Sequence, residues 1–214
     1  MKICHNTCFH TGVILIFVLT LCVNIAYAEE GKASFSKLEY VSQEAADETI
    51  VKFDEATKKN PKNEKAYFNR AVAYQIKHDL TKAMADYSKA IELNPQYMEA
   101  YHNRGVIYLG IHDDDRAIAD FNKAIEIKPS DKVYCNLGIA YISKEDYDRA
   151  LLNYSKAIDV NPHNMLAYYY RALVYYEKKD YANSWNDVAL ADSLGMPIDP
   201  KFLDDLKKAS GRER

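Results

Sequence analysis

The stretch KAIELNP, residues 89–95, returns as KAIEIKP at 123–129 and as KAIDVNP at 156–162, and EATKKNP at 55–61 echoes it. The copies start at Glu55, Lys89, Lys123 and Lys156, so the step between them is constant but for one deletion before the last. A fixed period of this length marks stacked copies of one supersecondary unit, so it governs every other pattern in the chain. Aligned on the prolines, the units run 64–97, 98–131, 132–164 and 165–198.

In the first half of each unit, two tyrosines stand at a fixed heptad spacing: Tyr67 and Tyr74, Tyr101 and Tyr108, Tyr134 and Tyr141, Tyr168 and Tyr175. A heptad is nearly two helical turns, which puts each pair on one face. Between them comes a small residue, Ala71, Gly105, Gly138 or Ala172. Small between large lets a second helix approach closely. The second half of the unit supplies that helix, with Ala83, Tyr87 and Ala90, then Ala117, Phe121 and Ala124, then Ala150, Tyr154 and Ala157 on one face. Asp79, Asp113, Asp146 and Asp180 precede these second helices as N-caps. Pro95, Pro129 and Pro162 follow them, where a residue without N–H stops the helix.

This pattern resembles the tetratricopeptide repeat, a helix–turn–helix unit of about 34 residues, over positions 64–198. The resemblance implies an all-α fold, an α-α superhelix (TPR solenoid) of about four units with capping helices at both ends. The family usually places Gly just before the capping Asp. Here His78, His112, Glu145 and Lys179 stand there, and a left-handed backbone is expected at each. At the front, 29–63 reads as a linker and a degenerate unit, with Ala46, Ile50, Phe53 and Thr57 on one helical face and Tyr40 hinting at a partner helix. At the back, SLG ends the fourth unit at Gly195. Asp199 and Pro200 then start a capping helix in 199–214, with Phe202, Leu203 and Leu206 to cover the apolar end.

Residues 1–28 read as a leader. Lys2 precedes the uncharged VILIFVLTLCV at 13–23, and Ala26-Tyr27-Ala28 offers a small-residue exit before Glu29. Even counted generously, from Val13 to Ala28, the apolar segment falls short of the roughly 20 residues that span a bilayer. Export to a periplasmic or secreted destination is expected, with membrane contact only through an uncleaved leader. Cys4, Cys8 and Cys22 leave with it, Cys135 alone remains, and core packing must hold the fold without disulfides. The net charge of −3 and the lack of a basic cluster outside the short tail KKASGRER argue against a nucleic-acid partner.

Catalytic motifs are absent from the sequence, and no cofactor or metal is expected. HDDDR at 112–116 reads as a turn, a helix cap and an acidic first turn rather than a cation site. The sequon at Asn153 falls mid-helix and reads as chance. Function is therefore sought in shape. In the family this chain resembles, first helices line a concave groove that binds a peptide or protein partner. Carried over by alignment, the first unit presents Lys65, Phe68, Asn69, Val72 and Gln75, and the second presents Glu99, His102, Asn103, Val106 and Leu109. The third presents Lys132, Cys135, Asn136, Ile139 and Ile142, and the fourth Leu166, Tyr169, Tyr170, Leu173 and Tyr176. Asn69, Asn103 and Asn136 form a polar ladder, either scaffold chemistry or hydrogen-bonding groups for an extended backbone. The rings of Phe68, Tyr169, Tyr170 and Tyr176 read as binding anchors. The paired basic residues with which some relatives clamp a carboxylate are largely missing, since Phe68, Val72 and Asn136 hold those places. The alternative reading is a structural homo-oligomer of the cell envelope, suggested by Trp185, Val188 and Asp192 in the fourth unit.

Overall fold

The structure is a computed structural model that describes the backbone of residues 35–212 and the side chains of residues 44–212. The expected leader, with Cys4, Cys8 and Cys22, lies outside the described residues. Within them the chain forms helices and no strand. They are α1 (Phe35–Lys59), α2 (Glu64–Ile76), α3 (Leu80–Leu93), α4 (Met98–Gly110), α5 (Asp114–Ile127), α6 (Asp131–Ser143), α7 (Tyr147–Val160), α8 (Met165–Glu177), α9 (Tyr181–Ser193) and α10 (Pro200–Ser210).

Four hairpins, α2–α3, α4–α5, α6–α7 and α8–α9, stack in order, each first helix packing on its own second helix and on the unit before. The small residues make this packing work. A Cβ built on Gly105 would sit 2.7 Å from Phe121 Cε1, and one on Gly138 would sit 2.7 Å from Tyr154 Cζ. Phe121 and Tyr154 are fully buried, as are Tyr87 and the alanines flanking them on the second helices. Asp79, Asp113, Asp146 and Asp180 cap those helices, each side chain accepting from a backbone N–H of the first turn. The residues just before them, His78, His112, Glu145 and Lys179, have φ of 58 to 60°. Left-handed backbone is thus adopted by four side chains where glycine would be unstrained.

The one shorter step between repeats also has a local cause. Asn94 to Tyr97 separate α3 from α4, and Asn161 to Asn164 separate α7 from α8, whereas only Lys128, Pro129 and Ser130 separate α5 from α6. Ser130 makes no side-chain cap bond there, while Asn63 and Asn164 cap α2 and α8.

Each hairpin but one is also crossed by a buried ion pair. Arg70 forks onto Asp86 at 2.7 and 2.8 Å, Arg104 onto Asp120 at 2.8 Å twice, and Arg171 onto Asp187 at 2.7 and 2.8 Å. The tyrosine pairs flank these guanidinium groups, and those of the first two units also pack against the core. Arg104 lies 5.9 and 5.8 Å from the rings of Tyr101 and Tyr108, and Arg171 lies 5.7 and 5.9 Å from Tyr168 and Tyr175. The third nitrogen reaches the preceding unit: Arg104 Nη1 donates to Ser88 Oγ and Arg171 Nη1 to Ser155 Oγ. Arg70 Nη1 does the same to Asp54 and Thr57 on α1. Through that contact α1 packs on α2 in the place where the later units have their preceding second helix. Residues 35–59 are one continuous helix, so Tyr40 lies on α1 itself and not on a separate partner helix.

Candidate partner-binding groove

The groove positions do not form one uniform trough. In the first unit Lys65 is exposed, and Phe68, Asn69, Val72 and Gln75 are half-buried. The second unit is similar, with Glu99 exposed and His102, Asn103 and Val106 half-buried, although Leu109 is buried. In the third unit Lys132 is exposed and Ile142 half-buried, but Cys135, Asn136 and Ile139 are buried. In the fourth, Tyr170 is buried, with its ring 5.9 Å from that of Tyr154, and Leu166, Tyr169, Leu173 and Tyr176 are half-buried. Accessible groove side chains therefore remain on α2, α4 and α8, while α6 is largely closed, and on α8 Tyr169, Leu173 and Tyr176 pack around Phe202 of the last helix.

The floor of that open half is built by a short polar chain over apolar packing. Tyr87 OH donates to Gln75 Oε1 at 2.8 Å, and Asn103 Nδ2 donates to Tyr87 OH at 3.2 Å. Phe68 stacks on Tyr97 with centroids 4.8 Å apart and tilts against Tyr87 at 5.6 Å. Tyr97 opens α4, so the Phe68 ring bridges the first two units. Asn136 Nδ2 donates to His102 Nε2 at 2.9 Å, joining the second and third units. That bond needs an unprotonated Nε2. Burial, and then the charge of Lys132, push the His102 pKa down to about 4, which keeps the imidazole neutral.

Two rungs of the asparagine ladder are thus spent partly on the scaffold. Asn69 makes no side-chain hydrogen bond among the described residues, and Asn103 Oδ1 accepts none there. The aromatic rings of the fourth unit have an internal partner as well. Phe202 of α10 meets Tyr169 edge-on at 6.1 Å and Tyr176 edge-on at 5.6 Å. Val188 is buried in the same cluster, with Trp185 packed against it. The residues that suggested self-association in this unit are therefore under α10, apart from exposed Asp192.

Other candidate sites are accounted for locally. Asp113 caps α5 and pairs with Arg116, and Asp115 pairs with Lys144 at 2.7 Å. Among the described residues no group of three His, Cys, Asp or Glu is placed to hold a metal ion. Asn153 is buried and donates to Arg149 O at 2.7 Å, which leaves the sequon inaccessible. A surface cleft lined by Pro95, Tyr101, Lys123 and Ile127 shares no residue with the groove. The Arg–Asp pairs went unread in the sequence, although a signal was there. In the third unit Leu137 replaces Arg and Asn153 replaces Asp, a simultaneous loss that marks the two positions as partners.

A family model for the tetratricopeptide repeat matches residues 64–97, 99–131 and 132–164. The matched residues are thus three tetratricopeptide repeats. The family match stops before the fourth unit, where Ser184 and Val188 replace the usual alanine and aromatic, yet α8 and α9 form the same hairpin. No curated protein matches the sequence. Solved structures share the fold. PilF of Pseudomonas aeruginosa superposes with a TM-score of 0.71 at 18% identity, covering 81% of each chain. PilW, described as a type IV pilus biogenesis factor, gives 0.67 at 20% identity over 85% of this chain and 89% of its own. YrrB, described as a TPR protein with an unusual peptide-binding site, gives 0.62 at 18% identity over 75% and 93%. Arrays of this kind are protein-interaction scaffolds.

Proposed function

We propose that the chain is a non-catalytic binding module that holds an extended segment of a protein partner in the trough of its first two units. The observation that carries this reading is that α2 and α4 keep half-buried side chains with Asn69 uncommitted, whereas the equally accessible residues of α8 pack around Phe202. Asn69 and Asn103 can meet the N–H and C=O groups of an extended chain, while Phe68, Val72 and Val106 receive its apolar side chains. With His102 neutral, the floor is uncharged. Lys65, Glu99 and Lys132 stand exposed at the edge, where charge sets orientation more than affinity. The peptide-binding description of YrrB supports this use of the fold.

The module works outside the cytoplasm, in a periplasmic or secreted setting. The leader pattern at 1–28 supports that, as does the likeness to pilus-biogenesis proteins. Among the described residues no helix is long and apolar enough to cross a membrane. N-terminal sequencing of the exported protein should begin at Glu29, and retention of Met1 would contradict the leader.

The groove is tested by panning a displayed peptide library on the full chain. Recovered peptides should lose about tenfold or more in affinity on Val72→Glu or Val106→Glu, which place an unpaired charge on the apolar floor. Ala119→Glu on the exposed side of α5 should leave binding unchanged. Equal affinity for all three variants would remove the groove assignment.

A further inference from the structure

Every first helix of the array has two supports, its own second helix and the preceding unit, and the first is the more extensive. Among the described residues, helix α10 is supported by the preceding unit alone. Phe202 stands one repeat period after Tyr168, and Leu206 one period after Ala172, so α10 occupies the first-helix place of a fifth unit. Leu206 takes the position where the other units carry Gly or Ala to admit the ring of a second helix. It is fully buried, and no second helix follows among the described residues.

The surface under α10 is built for it. Phe202 and Leu206 join Ala172 and Val188 in one cluster, with Tyr169, Leu173, Tyr176 and Trp185 packed around them. Trp185, the only tryptophan of the chain, donates its Nε1–H to Ser210 Oγ at 3.1 Å, and Arg212 lies 5.4 Å over its ring. Yet α10 has 11 residues, below the length at which a helix persists unaided in water, and Phe202 and Leu206 alone on it are buried. It is tethered through Gly195, which has φ of +89° and open space around its Cβ position. An element held on one side, short, and joined through a glycine turn is the one that opens locally.

We propose that the end face of α8 and α9 is a docking site for an amphipathic helix bearing an aromatic ring and, one turn later, a leucine, and that α10 is its resident, exchangeable occupant. A partner protein with that spacing competes for the face, which is separate from the trough on α2 and α4. Edge-on contact with two tyrosines selects an aromatic ring, and the hollow beside Ala172 selects the leucine.

The test uses the full chain. Amide hydrogen exchange on the unaltered protein should show α10 protected by only about 10- to 1,000-fold, far less than α8. A fluorescein-labelled peptide of residues 198–212 is then titrated into the unaltered chain and into one carrying Phe202→Ala with Leu206→Ala. The peptide should bind the variant more tightly, by a factor matching the α10 protection, because the resident helix leaves the face free for only that fraction of the time. The same peptide with its own F202A change should bind neither chain. Exchange of α10 only at the protection of α8, or no binding of the peptide to either chain, overturns the proposal. If circular dichroism shows that the double variant does not fold, titration of the unaltered chain decides. Saturable binding lost on the peptide's F202A change supports the exchange, and absence of binding ends it.

Discussion

Gly105 and Gly138 sit where a methyl group would meet a fully buried ring at 2.7 Å. Alanine is the better helix former by about 0.5–1 kcal/mol, but overpacking a closed core costs about 1–3 kcal/mol. Gly105→Ala and Gly138→Ala should therefore lower the urea midpoint, and a raised midpoint would contradict the close packing. The four left-handed residues predict the opposite sign. Replacing His78, His112, Glu145 or Lys179 by glycine should stabilise by about 0.5 kcal/mol each, since relief of strain exceeds the added chain entropy. His102 adds a pH dependence. Its ordinary pKa of 6.5 falls to about 4 in the fold, so between those values the unfolded chain binds the proton more tightly. Stability should be intact above pH 6.5 and decline as the pH falls toward 4, by up to about 3 kcal/mol. His102→Gln should flatten that slope, and an unchanged slope would remove His102 as its source.

Within the hairpins, the buried Arg–Asp pairs make a sharper prediction. Leu137→Arg alone places a guanidinium in the third unit opposite Asn153 and should cost about 3–5 kcal/mol. Adding Asn153→Asp recreates the fork of the other units and should recover most of that loss, a coupling that chemical denaturation of the four-member cycle measures. Strict additivity would mean that the two positions do not face each other. The hairpins themselves were legible in the sequence because their cause is local: spacing of Ala71, Gly105, Gly138 and Ala172, capping Asp, stopping Pro. The Arg–Asp pairs were not. Arg70 and Asp86 lie on different helices of their hairpin, beyond any spacing within one helix, and a charge beside tyrosines reads as a solvated face. Periodicity also could not say which groove positions close. Asn136, Ile139 and Tyr170 share the helical face of Asn69, Val72 and Asn103, and only the stacking of units buries them.

Among the described residues, the candidate groove positions of α2 and α4 are half-buried, those of α6 are largely buried, and those of α8 pack around Phe202. The sequence implied binding anchors at Phe68, Tyr169, Tyr170 and Tyr176. In the fold Tyr169 and Tyr176 are taken up by the contact with Phe202, a long-range choice that no window of residues encodes. The proposed partner site on α2 and α4 is therefore separate from the last unit, which α10 covers. The most telling observation is the amide spectrum of the ¹⁵N-labelled full chain as a selected peptide is added. Shifts should concentrate at Phe68, Asn69, Val72, Asn103 and Val106, with α7 and α9 unmoved. Shifts confined to α7 and α9, with α2 and α4 silent, would mean that the trough is not where the partner lies.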